Sequence, residues 1–283
     1  MHQRIDLHTH STVSDGTLTP AQLMRAAKDA GLCAIALTDH DTFDGLPEAR
    51  AEAAAQGVEL VPGCELSLDY CGLTTHLLAL FVDERPGNVV GELTRVKQAR
   101  ICRNETMLEK LKAVGVHLRR EDVERHASGV VGRPHMALAM LEAGVVRTFE
   151  EAFSRFLGTS GLAYVPKAKL TPSEAIRAIH ADHGLAVLAH PYLLSQRPRE
   201  IEAILTELAE IGLDGVEVYY TEHSDKYTAL LSSLANRLKL LESGGSDFHG
   251  EVKPGVTLGR GRGGLFVRRE LLDKMKETIE ARS

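Results

Sequence analysis

The chain has 283 residues, 43% of them hydrophobic and 25% charged, with a formal net charge of −6; this is an ordinary globular composition, long enough to bury a full core. No apolar run approaches the ~18 residues of a membrane span, and the opening MHQRIDLHTH holds no apolar signal core, so a cytoplasmic protein away from membranes is expected. The negative balance disfavours long duplex DNA, and the lack of tryptophan with few other aromatics argues against a base-stacking platform.

In chain order, residues 4–10 form the first predicted strand, and Thr19 and Pro20 cap and open a predicted helix through residue 30. A second strand at 33–39 and a helix at 46–56, ended by Gly57, follow. Residues 58–66 and 76–82 are the third and fourth predicted strands. The rhythm then changes: 89–114, 121–126, 134–143 and 148–156 read as helices, punctuated by Gly115, Gly144 and Gly158. A helical insert is therefore expected over 86–163, between barrel segments 1–85 and 164–283. That insert carries twelve Lys or Arg against nine acids. This suits a small anion held over a cation-filled pocket, and equally suits an ordinary solvated face.

Strand–helix alternation resumes with helices at 172–183, 199–211, 225–237 and 269–282 and strands at 186–189, 215–220 and 240–244. Strands regularly separated by helices indicate an α/β fold with a parallel sheet, and at this length a closed or distorted barrel. The four cysteines lack CxxC spacing and fall mostly in apolar segments, so buried reduced thiols are expected. No internal repeat or low-complexity tract is present.

The histidines and acids carry the functional signal. His8 and His10 end the first predicted strand, His40 the second, Glu65 the third, His190 a later one, and Asp247 with His249 the last; barrel enzymes build their active sites at such strand ends. His76 starts its predicted strand, so loop geometry must bring it in. With thirteen histidines in the chain, one His-x-His pair means little. His8 and His10, two apart on a strand, point to one side about 7 Å apart. Asp15 sits in a Ser-Asp-Gly turn, where an Asp ordinarily just shapes the chain. Several independent strand ends all carrying nitrogen and oxygen donors would be a costly arrangement for a mere core.

The segments DLHTHSTVSDG, LTDHDT, GCE, the His-Pro at His190 and GSDFH resemble the PHP (polymerase and histidinol phosphatase) family in order and spacing. Within it, GRPHMALAMLEAG and AYVPKAKLTPSEAI resemble the inserted helical segment of a branch that hydrolyses nucleoside 3′,5′-bisphosphates or trims short RNA from the 5′ end. The resemblance implies a distorted, seven-stranded TIM-like barrel and a site for two or three divalent cations. His8, His10, Glu65 and Asp247 would hold one. Glu65, His76 and His190 would hold a second, and Asp15, His40 and His249 a third. Imidazoles and carboxylates without thiolate suit Mn²⁺, the first choice, as well as iron or Zn²⁺. Cys64, next to Glu65, should face away on an extended strand.

A water shared by two cations ionises near neutral pH and becomes the nucleophile, so no protein nucleophile is required; GxSxG and P-loop motifs are absent. Arg133 and His135, in GRPH, are the leading candidates for substrate contact; capping of the helix opened by Pro134 is the ordinary alternative. Arg197 is a candidate for a second phosphate, His223 for protonating the leaving oxygen, and Asp39 and Lys167 for supporting or phosphate contacts. GRGRGG at 259–264 lacks the strand–turn–helix setting of a dinucleotide site and reads as a loop. The expected reaction is hydrolysis of a phosphate monoester of a small nucleotide, nucleoside 3′,5′-bisphosphate first. The alternatives are 5′-end exonuclease action on a short oligoribonucleotide and hydrolysis of another sugar phosphate such as histidinol phosphate. An amidohydrolase and a non-catalytic PHP module attached to a polymerase fit less well. The complete ligand set and the lack of a polymerase-length extension weigh against the latter, and no obligate protein partner is indicated.

Overall fold

The computed structural model describes residues 3–82, 86–127 and 131–282. The expected junction after residue 85 therefore falls beside residues outside the described set. The chain divides into two compact units, one made of residues 1–92 and 170–283 and the other of residues 93–169.

The first unit opens with β1 (Arg4–Asp6), α1 (Pro20–Asp29), β2 (Leu32–Leu37), α2 (Leu46–Gln56), β3 (Glu59–Tyr70) and β4 (Leu73–Leu80). Thr19 and Gln22 close a reciprocal capping box at the start of α1, and Gly57 ends α2 in the left-handed conformation. Helix α3 (Gly87–Ala113) begins in this unit and continues into the second, which adds α4 (Arg120–Glu124), α5 (Arg133–Glu142) and α6 (Phe149–Ala152) with a following π-helical turn. Those helices share their own buried cluster, including Met107, Leu111, Met136 and Phe156.

The first unit resumes with α7 (Pro172–Ala181), β5 (Leu185–Leu188), α8 (Pro198–Glu210), β6 (Gly215–Tyr220), α9 (Asp225–Leu238), β7 (Leu241–Gly245), β8 (Val267–Arg268) and α10 (Arg269–Arg282). The eight strands form one sheet in the order β7-β6-β5-β4-β3-β2-β1-β8. Hydrogen bonds along one seam nearly close it into a barrel, among them Leu7 N to the Gly244 carbonyl at 3.1 Å and Asp247 N to the His8 carbonyl at 2.9 Å.

Alternate strand residues set the two faces. Ile5, Ala34, Ala36, Leu78, Leu80 and Val187 pack into one buried cluster with Leu272 and Met275 of α10. The intervening Ile35 and Leu37 pack instead with Leu23, Met24 and Ala49 of α1 and α2.

Three expectations need correction. The sheet is not wholly parallel: β4 runs antiparallel to both β3 and β5, and the two-residue β8 antiparallel to β1. The β3–β4 pair is a hairpin turning at Cys71 and Gly72, both with positive φ. The expected first strand at 4–10 is regular only to Asp6, because the chain beyond it pairs with the segment after β7 instead. Of the four cysteines only Cys64 is buried; Cys71 lies at the hairpin turn and Cys102 on a helix face, both exposed. Burial pushes the Cys64 thiol well up, so it stays protonated.

Candidate metal centre

The site is built on the seam that closes the barrel. His8 and His10 follow β1, Asp247 and His249 follow β7, and the two segments are zipped together by the Thr9–Phe248 pairing and by His10 N donating to the Phe248 carbonyl at 2.9 Å. A side chain at Gly245 would lie 2.4 Å from the Cβ of His8, so only glycine lets the two segments meet. Two candidate ligands hold backbone conformations that L-residues rarely adopt, Asp247 at φ 54 and His190 at φ 28; such strain persists where the surrounding structure fixes a side chain for function.

Glu65 of β3 is the centre. Its Oε2 lies 3.1 Å from Nε2 of both His8 and His10 and 3.4 Å from Nδ1 of His40. Its Oε1 lies 2.8 Å from both His76 Nδ1 and His190 Nε2. The hairpin explains His76: Ser67 of β3 pairs with His76 of β4, so an antiparallel strand delivers from its first half a side chain that a parallel strand would present at its end. Asp247 Oδ1 lies 3.4 Å from His10 Nε2 and 3.3 Å from His249 Nδ1. Asp15 Oδ1 lies 3.2 Å from His249 Nε2.

The donors fit divalent cations. Ligand atoms of His8, His10, Glu65 and Asp247 all lie within 4.8 Å of one another, as do those of His10, Asp15, His40 and His249 and those of His40, Glu65 and His76. Among the described residues, both ring nitrogens of His10 and Nδ1 of His40 are buried without a hydrogen-bond partner, a costly state that a cation relieves. His249 Nδ1 faces the Asp247 carbonyl at 2.9 Å and must donate to it, leaving Nε2 with a lone pair aimed at a carboxylate oxygen of Asp15. Two acceptors facing each other require a proton or a metal between them.

Electrostatics agree. Burial opposes charge on Glu65, yet His8, His10, His190 and His76 hold its carboxyl well below the usual range. Burial likewise opposes charge on His8, but Glu65, Glu217 and Asp247 keep the ring well above the ordinary imidazole value. The His249 ring 3.2 Å away, with nearby His40 and His10, lowers Asp15 to about 2. Asp247 is also held down, its burial outweighed by His8 and His10.

Sequence reasoning missed the groups that orient these ligands. Glu217 of β6, fully buried, accepts from His8 Nδ1 at 3.0 Å and from the His190 backbone N–H at 2.7 Å. The first bond commits Nδ1 and leaves Nε2 facing Glu65 at 3.1 Å. Asp6, whose pKa burial raises, accepts from the backbone N–H groups of Ser246 and Gly259 at 2.9 and 2.8 Å and from the Ser246 hydroxyl. Tyr220 donates to Asp247 Oδ2 at 2.8 Å, and the Lys253 ammonium meets the same oxygen. A lone acid in an apolar strand, as in GVEVYY, was the available signal.

The remaining candidates are placed as follows. Asp39 accepts from Ser11 N, Ser11 Oγ and Ser14 Oγ at 2.6–2.7 Å, fixing the turn that carries Asp15. His223 lies among Tyr192, Tyr220 and Tyr227; its Nδ1 donates to the Val218 carbonyl at 2.9 Å and its buried Nε2 is without a partner. Burial lowers its pKa, so the ring is neutral with an acceptor at Nε2. Arg197 caps α8, 81% exposed and paired with Glu200 at 2.7 Å. In the helical unit, Arg133 Nη1 donates to the Leu157 carbonyl at 3.2 Å beneath the rings of Phe153 and Tyr164. His135 Nδ1 accepts from Gly132 N at 3.0 Å, and Lys167 is exposed in an irregular segment.

A cavity of about 550 Å³ opens over Asp15, His40, Glu65, His76, His190, Asp247 and His249, with Tyr192, Thr221, Glu222, Lys253 and Arg262 among its other walls. Six imidazoles and three carboxylates converging at the mouth of a barrel make a donor set that suits a metal-dependent hydrolase. The chain belongs to the PHP domain family, whose profile matches residues 6–157. It is 32% identical over 249 residues to a 5′-3′ exoribonuclease of Haemophilus influenzae, covering 88% of this chain and 91% of that one. It is 30% identical over 257 residues to a 3′,5′-nucleoside bisphosphate phosphatase of Chromobacterium violaceum, covering 90% of each. A crystal structure described as a metal-dependent phosphoesterase from Bifidobacterium adolescentis superposes with a TM-score of 0.69 at 29% identity, covering 96% of this chain and 95% of that one. The protein is a metal-dependent phosphoric ester hydrolase. Among the described residues no helix is long and apolar enough to cross a membrane.

Proposed function

We propose that the protein hydrolyses a phosphate monoester of a small nucleotide, nucleoside 3′,5′-bisphosphate first, using two or three divalent cations of which Mn²⁺ is the leading candidate. The observation that carries the reading is Glu65, one fully buried carboxylate within 3.4 Å of five imidazole nitrogens at the floor of an open cavity. His8, His10, Glu65 and Asp247 would hold one cation, Glu65, His76 and His190 a second, and Asp15, His40 and His249 a third. Bound there, such cations neutralise phosphoryl oxygens and supply the attacking hydroxide.

The chain's own part is orientation and charge. Glu217 fixes the His8 tautomer, while Tyr220 and Lys253 occupy Asp247 Oδ2 and leave Oδ1 toward the imidazoles. Three carboxylates against two or three divalent cations leave the floor positive, which suits a phosphate dianion. A second reading, trimming of short 5′-phosphorylated RNA, is favoured by the name of the Haemophilus relative and needs the same floor.

The test is a phosphate-release screen of metal-stripped and Mn²⁺-reloaded protein over adenosine 3′,5′-bisphosphate, AMP, histidinol phosphate, short 5′-phosphorylated RNA and a panel of amides. The bisphosphate should be turned over fastest, only after reloading, and Asp247→Asn should abolish turnover with the circular dichroism spectrum retained. Turnover of amides without any phosphoester would reject the reading.

A further inference from the structure

The GRGRGG segment, a plain loop by sequence, supplies a wall of the metal cavity. After the last metal ligand the chain runs through Lys253, Pro254 and Val256, which line that cavity, and returns to it at Arg262. The intervening backbone is pinned. Gly259 N donates to Asp6 at 2.8 Å, Thr257 and Gly261 bond each other in both directions at 2.8 Å, and Arg262 N donates to the Thr221 hydroxyl at 3.0 Å. At Gly261, φ is +55 and an added Cβ would stand 2.3 Å from that hydroxyl, so glycine is needed to bring the following residue to the cavity. Arg260, between the two glycines, does not line it.

Arg262 is held by one edge. Its Nε donates to Glu222 Oε1 at 2.9 Å, and among the described residues its Nη1 and Nη2 make no hydrogen bond. A guanidinium anchored through Nε on a fixed loop still has the paired donors that match a phosphate. Lys253, across the same loop, is committed to the metal ligand Asp247.

We infer that Arg262 is a specificity-determining residue: it binds the anionic group of the substrate that is not being hydrolysed, with Glu222 both orienting its guanidinium and competing for it. This rests on the phosphoesterase reading and deepens it, since it selects substrates with a second phosphate over simple monoesters. The plain alternative is a tether holding the loop to the turn after β6, and the two make opposite predictions for Glu222. If Arg262 only tethers, Glu222→Gln breaks the tether and resembles Arg262→Ala. If Arg262 binds the second anion, Glu222→Gln removes a competing carboxylate and strengthens that binding.

The experiment uses the full chain loaded with Mn²⁺, comparing adenosine 3′,5′-bisphosphate with p-nitrophenyl phosphate, which has one phosphate. Arg262→Ala should raise KM for the bisphosphate about tenfold and leave kcat and the p-nitrophenyl phosphate constants unchanged. Arg262→Lys should recover part of the loss, and Glu222→Gln should lower KM for the bisphosphate. Calorimetric titration of AMP, the product that keeps the second phosphate, into the Mn²⁺-loaded protein, which needs no turnover, should rank affinity as Glu222→Gln, then wild type, then Arg262→Ala. Equal losses on both substrates, or titrations in which the two variants move affinity in the same direction or not at all, would overturn the assignment. If wild type hydrolyses no phosphoester, the reading of the function fails, and the titration alone still decides the role of Arg262.

Discussion

At the scale of single residues, the candidate centre is shaped by groups outside its donor set. Glu217 is one: its carboxylate holds His8 in the tautomer that aims Nε2 at Glu65. Glu217→Gln should weaken Mn²⁺ binding by about 10- to 100-fold, measured by titration calorimetry, with the fold unchanged. The same bond sets a pH dependence. Protons and cations compete for His8, and Glu65, Glu217 and Asp247 raise that ring's pKa well above its ordinary value, so proton competition persists above the usual imidazole range. Apparent Mn²⁺ affinity should therefore keep rising with pH beyond about 6.5. Glu217→Gln removes one cause of the raised pKa and should shift the rise toward lower pH. An affinity flat from pH 6 to 9 in wild type would contradict this.

At the scale of elements, Asp214 ties three pieces of the barrel together. It accepts from His180 of α7 at 2.8 Å, from the backbone N–H of Ala186 on β5 at 2.7 Å, and from Arg282 of α10. Burial alone would raise its pKa, but these donors lower it. A carboxylate depressed in the fold contributes stability above its unfolded pKa, about 3.9, and loses it as pH falls through the lower folded value. Asp214→Asn should cost about 2 kcal/mol at neutral pH, and the gap from wild type in urea titrations should shrink below pH 4. A pH-independent gap would mean the charge of Asp214 is irrelevant to its role.

Element spans were mostly readable because caps and periodicity are local. The Thr19–Pro20 start and the Gly57 stop stand where expected. The hairpin was not readable: His76 stood at the wrong end of a strand taken as parallel, and only pairing with Ser67 shows why it belongs. The early end of β1 has the same origin, since partners some 240 residues away decide it.

At the scale of the whole molecule, seven of the nine candidate ligands stand out because imidazoles and acids at strand ends are rare without a purpose, whereas Asp15, in a turn, and His76, at a strand start, enter the set only through the family resemblance. Glu217, Asp6 and Tyr220 do not stand out, since one acid or phenol within an apolar strand does not reveal what it faces until the sheet closes. Cations that bind the folded cluster and not the unfolded chain stabilise the fold by mass action, so loading should be visible globally. Mn²⁺ at a hundredfold excess over its dissociation constant should stabilise the fold by about 2.7 kcal/mol. Scanning calorimetry should show a midpoint higher by several degrees, and chelation should reverse it. No shift at saturating metal would argue against occupancy of the cluster in the folded protein.

The zipper between the segments after β1 and β7 also has a consequence for how the enzyme is made. His8 and His10 leave the ribosome some 240 residues ahead of Asp247 and His249. A nascent polypeptide thus lacks the full donor set until the segment after β7 is free to zip onto the one after β1, and hydrolytic power can arrive only then.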